Sequence, residues 1–182
     1  GIGVIVKPYG RSDSDMIVQA ESGMKMATGE NPKRVYGSQN KMPYTRMGIA
    51  ALFRETFSAT KDYIASKKAA SKQKGGSKKP FETDLKKEAI ARVLSGELVA
   101  RCHSHRAMDM LTFMRIAEEY NIRYVFEHAT ECETILKELS EKNVPVIIGP
   151  TLGSRSKREV MSKSFKTVRA AVDAGLLVAI TA

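Results

Sequence analysis

One pattern of polar and apolar positions returns four times in the second half of the chain. A residue that tolerates a left-handed helix cap, Gly or Asn, is followed by a short apolar run rich in β-branched side chains. Gly96 precedes Leu98 to His103, Asn121 precedes Ile122 to His128, Asn143 precedes Val144 to Gly149, and Gly175 precedes Leu176 to Thr181. Between these runs the apolar residues take helical spacing: Ala107, Met110, Leu111, Met114 and Ala117, then Ile135, Leu136 and Leu139, then Phe165, Val168 and Val172. Arg115, Glu118, Glu119, Lys137, Glu138, Lys166 and Arg169 occupy the opposite faces, as outer helices require.

The caps are spaced 25, 22 and 32 residues apart, room for a crossover helix each time, so the strands run parallel. Their near-continuous apolar character predicts burial on both faces. In the first half, strands are expected around Gly3 to Val6 and Gly23 to Ala27. A long helix follows from about Thr45 into a lysine-rich stretch, and another spans about Thr83 to Ser95. The fold class is α/β, with about six strands. A complete (β/α)8 TIM barrel has eight and runs to roughly 250 residues. The 182 residues therefore read as one unit, the central part of such a barrel without its first and last strands. The chain opens Gly1-Ile2-Gly3-Val4 and closes inside an apolar strand at Ala182, and both ends read as cuts through a core element. Open sheet edges predict a homo-oligomer.

Composition narrows the function. With 42% hydrophobic and 27% charged residues the chain is neither disordered nor fibrous. It has no apolar run of spanning length and no leader pattern at its start, which argues against a membrane role. Two cysteines, Cys102 and Cys132, fit reduced thiols and a cytoplasmic location. The net charge of +10 raises nucleic acid as a partner. Half of that excess lies between Lys61 and Glu88, where nine lysines face four acidic residues. Residues 66–80 carry no carboxylate and no aromatic ring to stack a base, so they read as a lysine-rich solvated insertion. A noncatalytic basic module that binds nucleic acid through this stretch is the alternative function.

The chemistry collects where parallel α/β folds place it, at the carboxyl ends of the strands. His103 lies seven residues past Gly96 and His128 seven past Asn121, so neighbouring strands are expected to present imidazoles at one height. His105 can continue the face of His103. Histidines on rigid neighbouring strands suit a divalent metal that acidifies water and polarises a carbonyl. The competing reading is that they only hydrogen-bond within a core. A structural zinc at Cys102, His103, His128 and Cys132 is weaker, because Cys102 points away from His103 in a strand. Glu30, Lys33 and Arg34 follow the early strand, with Glu30 seven residues past Gly23, and can supply a carboxylate and two cations. The loop from Gly149 to Arg158 ends the next strand.

Arg101-Cys102-His103-Ser104-His105-Arg106, Phe126-Glu127-His128-Ala129-Thr130, Gly149-Pro150-Thr151 and Gly23 to Lys33 together resemble the metal-dependent amidohydrolase superfamily. The resemblance is to the branch related to imidazolonepropionase and the prolidase-like enzymes, and it covers essentially the whole chain. It implies hydrolysis of C–N bonds in amides, cyclic amides or peptide-like small molecules by metal-activated water, with zinc as the metal. By the same resemblance His103 and His128 are metal ligands, and Lys25 or Glu30 is the bridging ligand. His105, Arg106, Lys33 and Thr151 lie toward substrate. The family's first-strand His-x-His has no counterpart, since no histidine precedes His103. The general-base aspartate of the last strand is expected just after Ala182. The expected consequence is a fragment that is inactive and binds metal weakly or not at all, from a parent enzyme that is a hydrolase.

Overall fold

The computed structural model describes residues 1–72 and 81–181. Six strands form one open, curled sheet in chain order, a half-barrel flanked by helices. They are β1 (Ile2–Val6), β2 (Ile17–Ala27), β3 (Ala100–Ser104), β4 (Tyr124–His128), β5 (Val146–Ile148) and β6 (Val178–Ile180). The helices are α1 (Asp13–Met16), α2 (Glu30–Gly37), α3 (Arg46–Lys72), α4 (Leu85–Leu94), α5 (Ala107–Tyr120), α6 (Leu136–Glu141) and α7 (Lys166–Asp173). From β2 to β6 every pairing is parallel, as the crossover spacing predicts. The four cap residues all adopt the left-handed backbone: Gly96 at φ 78°, Asn121 at 54°, Asn143 at 51° and Gly175 at 79°. At Asn121 the reversal lets its N–H close the last turn of α5 onto Ala117 and Glu118 before the chain enters β4.

Three features differ from the sequence reading. β1 runs antiparallel to β2. β2 begins six residues before Gly23, and that early half is solvent-exposed, so no buried face marks it in the pattern. On α7 the buried residues are Thr167 and Ala171, while Phe165 and Val172 face solvent. Of the lysine-rich stretch, residues 66–72 continue α3, and residues 73–80 lie outside the described residues.

The core lies between the sheet and its helices. Met26, Ala100, Cys102, Phe126, Val146 and Ile148 point outward from the curl and pack against Phe57 of α3 and Met110, Phe113, Met114 and Ala117 of α5. Phe113 joins the two layers, 5.3 Å from the ring of Phe53 and 6.0 Å from that of Phe126, both edge-on. A fully buried phenylalanine contributes roughly 2–3 kcal/mol by area. The opposite, concave face is polar. Lys25 of β2 and Arg101 of β3 both pair with Glu127 of β4 there. Among the described residues no helix is long and apolar enough to cross a membrane.

Candidate metal centre

The parallel strands deliver their last residues to one rim of the sheet, and all three histidines of the chain meet there. The register does not place them as equal offsets suggested. His103 pairs with Glu127, and His128 pairs with Ser104, one residue further along. Successive strand residues alternate between faces, so a regular β4 would send His128 to the helix side. Instead His128 and Ala129 take positive φ, 73° and 39°. The His128 ring comes to lie 4.6 Å from that of His103 and 5.0 Å from that of His105, with His103 and His105 4.7 Å apart.

A glutamate completes the cluster. The ligand atoms of His103, His105 and Glu159 all lie within 4.8 Å of one another, close enough to hold a metal ion, and all three residues are buried. Glu159 belongs to a short 3-10 turn, Arg158–Val160, after β5. The sequence reading missed it. It is the only carboxylate between Gly149 and Val172, set among basic residues, and that isolation was the available signal.

Hydrogen bonds fix the donors. His128 Nδ1 lies 2.7 Å from the Gly149 carbonyl, which only accepts, so Nδ1 carries a proton and donates there. His105 Nδ1 bonds Thr130 Oγ1 at 2.8 Å. Lys157 Nζ donates to Asn31 Oδ1 at 2.8 Å, which leaves the Asn31 amide nitrogen to donate to His103 Nε2 at 3.0 Å. Burial, reinforced by His128 and His105, holds His103 down to about 3. Burial and then Lys157 do the same for His105, also to about 3. Both imidazoles are therefore neutral at pH 7, as ligation requires. Neutral nitrogens and a buried carboxylate are donors suited to a divalent transition metal.

The other expected site residues are distributed around this centre. Lys25 is bound to Glu127 on the concave face. Glu30 opens α2, and its backbone N–H donates to Glu159 Oε2 at 2.8 Å. Gly23, from which its offset was counted, is not a cap but lies inside β2, where a Cβ would meet the Val99 carbonyl at 2.7 Å. Arg106 is paired with Glu131, Nε to Oε2 3.0 Å, and that same carboxylate caps the Ala107 N–H. Thr151 shares a small cleft with His128, Thr130 and Lys163. Lys33 lies half-buried on α2 with no ion pair among the described residues. Cys102 and Cys132 are free thiols in the hydrophobic core. Of the basic stretch, Lys67 pairs with Glu88.

A half-barrel that is parallel from β2 to β6, with a His, His, Glu cluster able to hold a metal on its carboxyl rim, has the architecture of the α/β barrels that bind metals there. Comparison with known proteins finds two likenesses. A crystal structure of an amidohydrolase from Thermotoga maritima MSB8 superimposes with a TM-score of 0.92 and 42% identity, over 100% of this chain and 46% of that one. The amidohydrolase tasK of Hapsidospora irregularis is 29% identical over 138 residues, 72% of this chain and 13% of that protein. No family model matches. The chain thus spans less than half the length of either relative. It has the fold of the metal-dependent amidohydrolase superfamily and a triad able to bind a metal.

Proposed function

We propose that this chain carries the metal-binding rim of a hydrolase that cleaves C–N bonds in small amides, cyclic amides or peptide-like molecules, in the branch related to imidazolonepropionase and the prolidase-like enzymes. The observation that carries the reading is the buried cluster of His103, His105 and Glu159 on the carboxyl ends of parallel strands, with His128 in reach. The likeness to two proteins named as amidohydrolases supports it. These residues would hold a divalent ion, zinc in this reading, which supplies Lewis acidity and acidified water for attack on the amide carbonyl.

The chain's own residues divide the remaining work. His103 and His105 offer neutral nitrogens from the end of β3, and His128 turns its Nδ1 to the Gly149 carbonyl. Glu159 brings the negative charge. The bridging position falls to Lys25, which would have to leave Glu127, or to Glu30, which already touches Glu159 through its backbone. Thr151 and Lys33 face the substrate side, and Arg106 joins them only by releasing Glu131.

The test is zinc titration by calorimetry, followed by hydrolysis assays on N-acyl amino acids, dipeptides and lactams, using any longer gene product that contains this chain. Stoichiometric zinc that is lost in a variant replacing both His103 and His105 by alanine, with turnover that a chelator stops and zinc restores, is the expected result. Hydrolysis indifferent to chelation, or no zinc bound, would overturn the reading.

A further inference from the structure

The two oxygens of Glu159 have separate occupants. Oε2 accepts the Glu30 N–H at 2.8 Å and lies 3.8 Å from the Arg46 guanidinium. Oε1 faces the site, 3.9 Å from His105 Nε2. That is the oxygen an ion shared with His105 would take, and the Lys157 ammonium already holds it at 2.7 Å. The same ammonium donates to Asn31 Oδ1 at 2.8 Å, and Asn31 in turn covers His103 Nε2 with its amide. One cation thus withholds two of the three donors of the triad, Glu159 directly and His103 through Asn31.

We propose that Lys157 is a tethered competitor of the metal ion: its ammonium holds Glu159 Oε1 and Asn31 Oδ1, and it must leave both for an ion to enter. This rests on the reading that His103, His105 and Glu159 hold the metal. An ammonium and a divalent ion on one carboxylate oxygen repel each other strongly away from bulk water. Lys157 is also built to leave. It ends a segment, residues 151–157, without helix or strand, and its side chain is 26% exposed, whereas that of Glu159 is 1% exposed. When the ammonium swings out, Asn31 loses its partner at Oδ1 and keeps only the bond to His103 Nε2 among the side-chain hydrogen bonds of the described residues. Glu159 stays in place through Glu30 and Arg46. The tether therefore gives the buried carboxylate a second cation beside Arg46, one on each oxygen.

Zinc titration of the chain by calorimetry, with folding of each variant checked by circular dichroism, tests the proposal. Lys157→Met is expected to lower the zinc dissociation constant about tenfold, within the usual range for two coupled occupants. Lys157→Arg, which keeps the charge, should bind zinc no tighter than the parent. Asn31→Ala uncovers His103 without touching the charge and should tighten binding by a smaller factor, so the idea stays testable if Lys157→Met fails to fold. Zinc should also raise the melting temperature more in Lys157→Met than in the parent. Zinc binding by Lys157→Met that is unchanged or weaker makes Lys157 a support of the site and overturns the proposal. Glu159→Gln separates the two ideas. If it leaves zinc affinity intact, the ligand set fails and the competitor with it. If it abolishes binding while Lys157→Met changes nothing, only the competitor fails.

Discussion

Glu159 leaves no room for a side chain on Gly29. A Cβ at that glycine would sit 2.6 Å from Glu159 Oε2 and 3.3 Å from Asp109 Oδ2. The backbone there, φ 80° and ψ −144°, turns the end of β2 into α2 and brings the Glu30 N–H onto the same carboxylate. Asp109 is buried, which raises its carboxyl above the usual range even though the Arg46 guanidinium opposes the shift. Arg46 is common to both acids, Nε to Asp109 Oδ1 2.9 Å and a terminal nitrogen 3.8 Å from Glu159. Arg46 also lines a groove between α3 and α5, with Phe53, Asp109 and Phe113, and so joins that groove to the His, His, Glu cluster.

Gly29→Ala should therefore cost more than about 2 kcal/mol, from a backbone conformation open essentially only to glycine together with the clash on Glu159. Urea denaturation checks the stability. Zinc titration checks the site, because any shift of Glu159 that makes room for the Cβ displaces the carboxylate that faces His105. A variant with unchanged midpoint and unchanged zinc affinity would show that Glu159 is not wedged against this turn.

The repeat of caps makes a separate claim. Asn121 holds φ 54° at the end of α5, a conformation that costs a residue with an ordinary Cβ about 1–2 kcal/mol and glycine almost nothing. Asn121→Ala should lower stability by about 1 kcal/mol, and Asn121→Gly should leave it level or slightly higher, read as denaturation midpoints. Equal losses in both variants would mean that the side chain of Asn121 matters and its backbone does not.

These caps explain how much of the fold was legible. A residue that reverses the chain, followed by an apolar run, is a local event, and the four units from Gly96 to Thr181 were readable from it. Signals that depend on distant neighbours were not. The early half of β2 pairs with β1 but buries nothing, so Ile17 to Ser22 carry no periodic mark. α7 turns its small residues, Thr167 and Ala171, inward because they are what fits there, with Thr167 Oγ1 reaching Glu133 at 3.0 Å. At the site, the three histidines stood out because the chain has no others. Their relative height depended on the positive φ of His128, and Glu159 depended on a loop folding back; neither leaves a trace in spacing.

On the concave face, Glu127 balances two cations. Burial alone would raise its carboxyl, but Lys25 and Arg101 together outweigh that and hold it below the usual range. Glu127→Gln keeps the shape and removes the charge, leaving the two cations facing each other on a half-exposed surface. A loss of roughly 1–3 kcal/mol is expected, smaller than for a fully buried pair because Lys25 is half-exposed. The gap between parent and variant should narrow in high salt, which screens the repulsion of Lys25 and Arg101. A salt-independent difference would assign the loss to packing.

Two groups away from the histidine cluster, the buried Cys132 and the partly buried Tyr124, contribute to the alkaline limit of stability. Burial, with Glu133 adding to it, pushes the Cys132 thiol from 9.0 up to about 12. Burial also raises the Tyr124 phenol from 10.0 to about 12, and Glu118 contributes. Both groups keep their protons in the folded chain at pH values where the unfolded chain releases them, so rising pH favours unfolding. Their contribution is complete below about pH 9 and is lost as pH rises toward 12, at roughly 1.4 kcal/mol per pH unit for each group ionised only when unfolded. Urea midpoints measured from pH 8 to 11 should fall across this window. The combined variant Cys132→Ala with Tyr124→Phe has nothing to ionise at these positions, and its midpoints should fall less steeply, starting from a lower value set by the lost packing. An identical slope in the variant would assign the alkaline loss to other groups, first the Cys102 thiol, which burial also pushes up.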